Sequence, residues 1–172
     1  MRIVEPGIEE AFSKAGKNRA ELLHVLQHYE ESSNSLKLRA AQFLLENMAD
    51  KGYLTGRSIE EYYNFIDSVY QIKQEEYDIP YIYATFRQQA KYLKENPVLN
   101  WDVQTLSADY LIQNIDEAFA VRNRPWNQHL TFEEFCEWIL PYRVGTEIPE
   151  AWRTLYRERF EPLLMNDSIR TA

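Results

Sequence analysis

The sequence predicts an all-α fold, a single compact bundle of about seven to eight helices over residues 1–172, on three observations. Leu, Ala, Glu, Gln, Lys and Arg are plentiful, only five Gly occur, and Val and Thr do not cluster in alternating runs, so the composition favours helix over strand. Apolar residues return every three or four positions along most of the chain. Ser, Thr, Asn or Asp stands just before most of these stripes, often with Glu three residues later, the spacing by which a side chain caps a helix start. A length of 172 residues suits one core, and the 45% apolar content, with twelve Tyr, eight Phe and four Trp, supplies the material to fill it.

Each element follows from this pattern. Pro6 suits the first turn of a short helix carrying Ile8, Ala11, Phe12 and Ala15, a lid that Gly16 ends. Asn18 and Glu21 have capping-box spacing ahead of Leu22, Val25, Leu26 and Tyr29, a helix that stops near the ESSN tract. Asn34 or Ser35 starts a third helix with Leu36, Ala40, Phe43, Leu44 and Met48 on one stripe, and Gly52 marks its end. Ser58 and Glu61 repeat the box before Ile59, Tyr62, Ile66, Val69 and Lys73. Asp78 caps a fifth helix with Tyr83, Phe86, Ala90 and Leu93 inward, which Asn96-Pro97 breaks. Ser107 caps the most regular stripe, Leu111, Ile112, Ile115, Ala118 and Phe119, in a helix over 107–122. Thr131 and Glu134 form a capping box for a helix over 131–141, with Leu130 placed to pack on Phe135 and with Phe132, Phe135, Cys136, Ile139 and Leu140 on one face. A last helix carries Trp152, Leu155, Tyr156, Phe160 and Leu163, with Pro162 bending or stopping it.

Charge and cysteine content narrow the function. A net charge of −8 disfavours nucleic acid and anionic membranes, whose binding rests on clustered Lys and Arg. Cys136 is the single cysteine, so neither an internal disulfide nor a multi-Cys metal site is expected. No apolar run approaches the ~18 residues of a membrane span. The start, MRIVEPGIEEAF, lacks the basic region and apolar stretch of a signal peptide, which leaves a cytosolic protein or one whose leader has been removed.

The run from Leu106 to Arg153, with LIQNIDEAF (111–119), Pro125-Trp126, FEEFCEWILPYR (132–143), Glu147 and Trp152-Arg153, resembles the N-terminal helical region of large transglutaminase-like proteins from Bacteroidetes. The similarity extends more loosely back to LKLRAAQFLLENM (36–48) and so covers most of the chain. The resemblance implies that a papain-like catalytic domain with a Cys-His-Asp triad follows, and that the protein is exported, to the periplasm or cell envelope. Within this chain there is no strand pattern and no His after Cys136, so the chain is expected to be an accessory domain lying ahead of that enzyme.

Among the candidate residues, Cys136 reads as a small apolar core residue, because three glutamates surround it and no base accompanies it. His24 and His28 have the spacing of metal ligands on one helix face, but Val25 stands where a zinc protease has its Glu, and a third ligand would have to come from Glu31 or His129. No catalytic, cofactor or metal residue is therefore assigned. Arg143 and Arg153 are expected to pair with Asp116, Glu137 and Glu147 and to fix the turn between the last two helices. With Trp126 and Trp152 these residues make the candidate surface for a downstream catalytic domain. The second function class is an independent glycan- or peptide-binding module, which requires exposed aromatics among Tyr62, Tyr63, Trp101, Trp126 and Trp138. An enzyme in its own right ranks third.

Overall fold

The stripes form as helices in the computed structural model, which describes residues 6–71, 78–89 and 95–164. In order these are α1 (Pro6–Lys14), α2 (Arg19–Glu31), α3 (Ser35–Glu46), β1 (Gly52–Thr55), α4 (Arg57–Tyr70), α5 (Ile79–Gln89), β2 (Val98–Trp101), α6 (Asp102–Thr105), α7 (Ala108–Arg122), α8 (Phe132–Trp138) and α9 (Trp152–Leu164). The described residues thus hold nine α-helices and one two-stranded sheet, and the all-α reading holds. None of these helices is long and apolar enough to cross a membrane. Lys73, Glu75-Glu76, Ala90 and Leu93 lie outside the described residues.

Contacts divide the chain into two compact units, Met1–Lys51 with Trp101–Ala172, and Gly52–Asn100. In the larger unit α2 packs on α3 and α7, and α1 lies along α3. Leu22 and Val25 of α2, Ala40 and Leu45 of α3, and Leu111 and Ile115 of α7 have no exposure, as their helical spacing requires. The approach of α1 to α3 needs a glycine, since a Cβ on Gly7 would lie 2.9 Å from the Glu46 carbonyl oxygen.

In the smaller unit β1 and β2 pair, with Gly56 against Pro97 at one end. The backbone N–H of Asp102, just past β2, donates to the carbonyl of Lys51, just before β1, at 3.0 Å, so the two strands run antiparallel and residues 52–100 leave and return at one place. Helices α4 and α5 meet through aromatic rings. Phe65 stacks on Phe86 at 3.8 Å and 7°, and Tyr62 stands edge-on to Tyr83 at 6.1 Å. The two tyrosine hydroxyls are hydrogen-bonded, which raises the Tyr83 pKa.

Several local expectations held. Asn34 accepts from the Lys37 N–H, Asp78 from Tyr81 and Ser107 from Tyr110. The Thr131–Glu134 box is complete. Others gave way to longer-range partners. Asn18 makes no capping bond and instead donates through Nδ2 to the carbonyls of Val103 and Leu106 at 3.1 and 2.8 Å. Glu21 accepts from the backbone N–H of Ala108 at 2.7 Å, placing its charge at the start of α7, where it is favoured. Ser58 and Glu61 make no box, because Gly56, at φ +117°, already starts α4 and Ser58 is buried inside it. Helix α3 stops at Glu46, and Gly52 opens β1 instead. Strands of four residues are too short for alternation to show in sequence. Helix α8 ends at Trp138, before Pro141, because the N–H groups of Ile139 and Leu140 both turn back to the Phe135 carbonyl, at 3.0 and 2.9 Å. Helix α9 continues past Pro162 to Leu164, and its Leu155, Tyr156, Phe160 and Leu163 are exposed.

Candidate functional site

The turn between α8 and α9 is held by a polar network that the surrounding helices bury. Its centre is Asp102, the first residue of α6, which has no exposure. Arg143 Nη1 donates to both Asp102 carboxylate oxygens at 2.8 and 2.7 Å, and the Tyr142 hydroxyl donates to Oδ2 at 2.8 Å. Burial first, and then the Asp102 charge, raises the Tyr142 hydroxyl pKa far above its usual range, so Tyr142 stays a donor. Arg143 Nη2 donates to the Glu147 carbonyl at 2.6 Å, while its buried Nε has no partner. The Glu147 carboxylate accepts from the Val144 N–H and closes the turn.

A second arginine ties the other side. Arg153 on α9 donates through Nε to Asn114 Oδ1 of α7 at 2.8 Å and through Nη2 to the carbonyls of Ile139 and Pro141. Asn114 in turn donates to the Leu140 carbonyl at 2.8 Å. The carbonyl of Tyr142 accepts from both Trp152 Nε1 and the Tyr110 hydroxyl, at 3.1 Å each. The Tyr110 hydroxyl also reaches the Glu150 carbonyl, and burial, with the Asp102 charge behind it, pushes its pKa up to about 12. Desolvation pulls Arg153 down to about 10, which leaves it cationic at neutral pH, with its guanidinium 4.2 Å from the Trp152 ring.

The expected pairing of Arg143 and Arg153 with Asp116, Glu137 and Glu147 is therefore corrected. Arg143 takes Asp102, and Arg153 takes an amide oxygen and backbone carbonyls. The physical reason is burial: Asp102 offers a carboxylate inside the core, whereas Asp116 and Glu137 are exposed. The sequence signal for Asp102 was slight, an acid set between Trp101 and Val103. Asp116 faces α2 and α3, accepting from the Tyr29 hydroxyl and from Lys37 Nζ, each at 2.8 Å. Glu137 lines an open groove of about 330 Å³ beside Arg143, Tyr142 and Lys51. Trp126 lines another with Trp152 and Arg153. The structure thus joins Arg143, Glu147, Trp152 and Arg153 in one network, with Glu137 and Trp126 in adjoining grooves and Asp116 apart from it.

Cys136 is buried in the core, and burial pushes its thiol up to about 11, the Arg39 and Arg122 charges only partly opposing this. It is protonated at neutral pH and out of reach of a substrate. His24 and His28 lie on the exposed side of α2. Among the described residues no group of three or more His, Cys, Asp or Glu is placed to hold a metal. What the network does is fix a backbone. Six carbonyls from Ile139 to Glu150 are held by side chains, while Val144 and Ile148 at the tip stay exposed. Compared with known proteins, the chain matches no family model, no curated protein and no solved structure.

Proposed function

We propose that this chain is a non-catalytic helical domain, the N-terminal accessory region of a transglutaminase-like protein, which packs on a downstream catalytic domain of the same polypeptide or restricts access to it. The turn over residues 141–151 is its contact surface. One observation carries the reading: the turn is locked by a buried ion pair and by Arg153, yet it presents Val144, 84% exposed, and Ile148 at its tip. A rigid apolar tip loses little entropy when a partner covers it. Spending a buried charge pair on the shape of a surface turn is consistent with a contact role, since such pairs add little stability over apolar packing. The buried thiol of Cys136, with its raised pKa, supports a non-catalytic assignment for this region.

The test is the reading frame beyond the codon for Ala172. A Cys, then a His, then an Asp in a strand-rich region is the expected finding, and a stop codon there overturns the proposal. With that region in hand, the two parts expressed separately should associate, and Val144→Glu with Ile148→Glu should weaken the association at least tenfold. Unchanged association would remove the turn from the interface.

A further inference from the structure

A second surface lies on α9, beside the turn that Trp152 and Arg153 help to hold. Val121 and Trp126, at and after the end of α7, line an open groove of about 230 Å³ with Trp152, Tyr156 and Phe160 of α9. Trp126 is 51% exposed and Tyr156 57%. Tyr156 and Phe160, one helical turn apart, lie nearly parallel and offset-stacked, with centroids 5.5 Å apart and 16° between planes. Two ion pairs stand along the same groove, Arg124 with Glu161 and Arg157 with Glu117.

We propose that this groove binds a neutral oligosaccharide, with one sugar ring against the exposed side of the Tyr156–Phe160 stack and another at Trp126. The negative π-face of an aromatic ring attracts the weakly positive C–H face of a pyranose. The charges in the groove select the class of ligand. Two of the groove's three arginines are balanced by two glutamates, and the third, Arg153, already donates through Nε and Nη2 to Asn114 and to the carbonyls of Ile139 and Pro141, so no open guanidinium fork is left to recruit an anion. The four ion-paired side chains hold donors and acceptors next to one another, the arrangement that vicinal hydroxyls satisfy. A folded protein laid over the groove would strip water from both ion pairs, which is costly, whereas hydroxyls replace that water with equivalent hydrogen bonds.

Titrating the full chain with short neutral oligosaccharides of glucose, xylose, mannose and N-acetylglucosamine, followed by tryptophan fluorescence and backbone amide shifts, should give saturable binding to at least one of them. The shifts should fall on residues 121–126 and 152–161. Tyr156→Leu and Trp126→Leu keep apolar bulk at exposed positions but remove the ring face, and each should weaken binding about tenfold or more with the melting temperature unchanged. The proposal is overturned if no sugar saturates up to about 10 mM, if the leucine variants bind as well as the parent, or if acidic oligosaccharides bind more tightly than neutral ones. It is overturned equally if the groove takes a proline-rich peptide instead, or a second copy of the chain seen as a mass that doubles with concentration. Val144→Glu lies outside the groove and should leave sugar binding intact, so failure here and failure of the accessory-domain reading are separable.

Discussion

In the larger unit, α2, α3 and α7 meet through Leu22, Val25, Ala40, Leu45, Leu111 and Ile115, none of them with any exposure. In the smaller unit, Ser58 is the one described residue that is buried, and the contact between α4 and α5 is a half-exposed aromatic seam. Small side chains explain much of the contrast. Ala11, Ala40, Ala41 and Ala118 let helices approach closely and exclude water, whereas Tyr62 and Tyr83 carry hydroxyls that must find partners and leave rings at the edge. Aromatic content is therefore a poor guide to where the core of this protein lies. Its deepest layer is mostly aliphatic residues and alanine, joined by Phe135 and Tyr29, whereas Tyr63, Tyr70 and Tyr81 stand in solvent.

The sharpest way to break the larger unit is through its buried charge. Asp102→Ala leaves the Arg143 guanidinium without its carboxylate inside the core and should cost about 3–5 kcal/mol in a denaturant titration. Tyr142→Phe removes one hydrogen bond to that carboxylate while keeping the ring, and should cost about 1.5–3 kcal/mol. Similar losses for the two would mean that Arg143 finds another partner. Truncating the apolar layers tests the contrast directly. Leu111→Ala opens a cavity at a site with no exposure and should cost about 2–5 kcal/mol, while Phe65→Leu, which removes a ring from the half-exposed seam, should cost about 1 kcal/mol. Equal costs would show that the seam is as well packed as the core.

A gentler change asks whether the larger unit needs the smaller one. Lys51 and Asp102 are already joined by a backbone hydrogen bond of 3.0 Å, so residues 52–100 can be replaced by a short Gly-Ser linker without moving either end. Loop-closure entropy changes slowly with loop length, so the far-ultraviolet spectrum per residue should stay helical and the melting temperature should move by only a few degrees. A collapse of cooperativity would show that the smaller unit contributes to the stability of the larger.

These contrasts also mark how far the sequence could be read. The caps at Asn34, Asp78, Ser107 and Thr131 were legible because donor and acceptor lie within three residues of each other. The α7 stripe was legible because burial repeats with the helical period. Asn18 and Glu21 have the same local spacing but serve carbonyl and amide groups more than eighty residues away, and no local pattern distinguishes the two uses. The candidate site divides in the same way. Arg143, Glu147, Trp152 and Arg153 stood out as polar or aromatic landmarks around a turn, and the structure joins them. Their anchor, Asp102, lies 41 residues before Arg143 and shows no periodicity, so it emerged only from the packing.

The Thr131–Glu134 box is the exposed, local counterpart of the Asp102 cluster, and it sets the smallest effect. The Glu134 carboxylate accepts from the Thr131 backbone N–H at 2.8 Å and from its hydroxyl at 2.9 Å, and these two bonds, the backbone one first, hold its pKa below the usual 4.5. Unfolding releases both, so the folded pKa is the lower of the two. The contribution is then complete above about pH 4.5 and is lost as the pH falls through the folded value. Thr131→Val removes the hydroxyl and keeps the backbone donor. The side-chain carboxyl resonance of Glu134, followed by NMR through an acid titration, should therefore move its midpoint upward but not all the way to that of an unfolded glutamate. A midpoint that does not move would assign the whole depression to the backbone N–H and leave the hydroxyl only its cap on Glu134 N, whereas a complete return would mean that the box opens once the hydroxyl is gone.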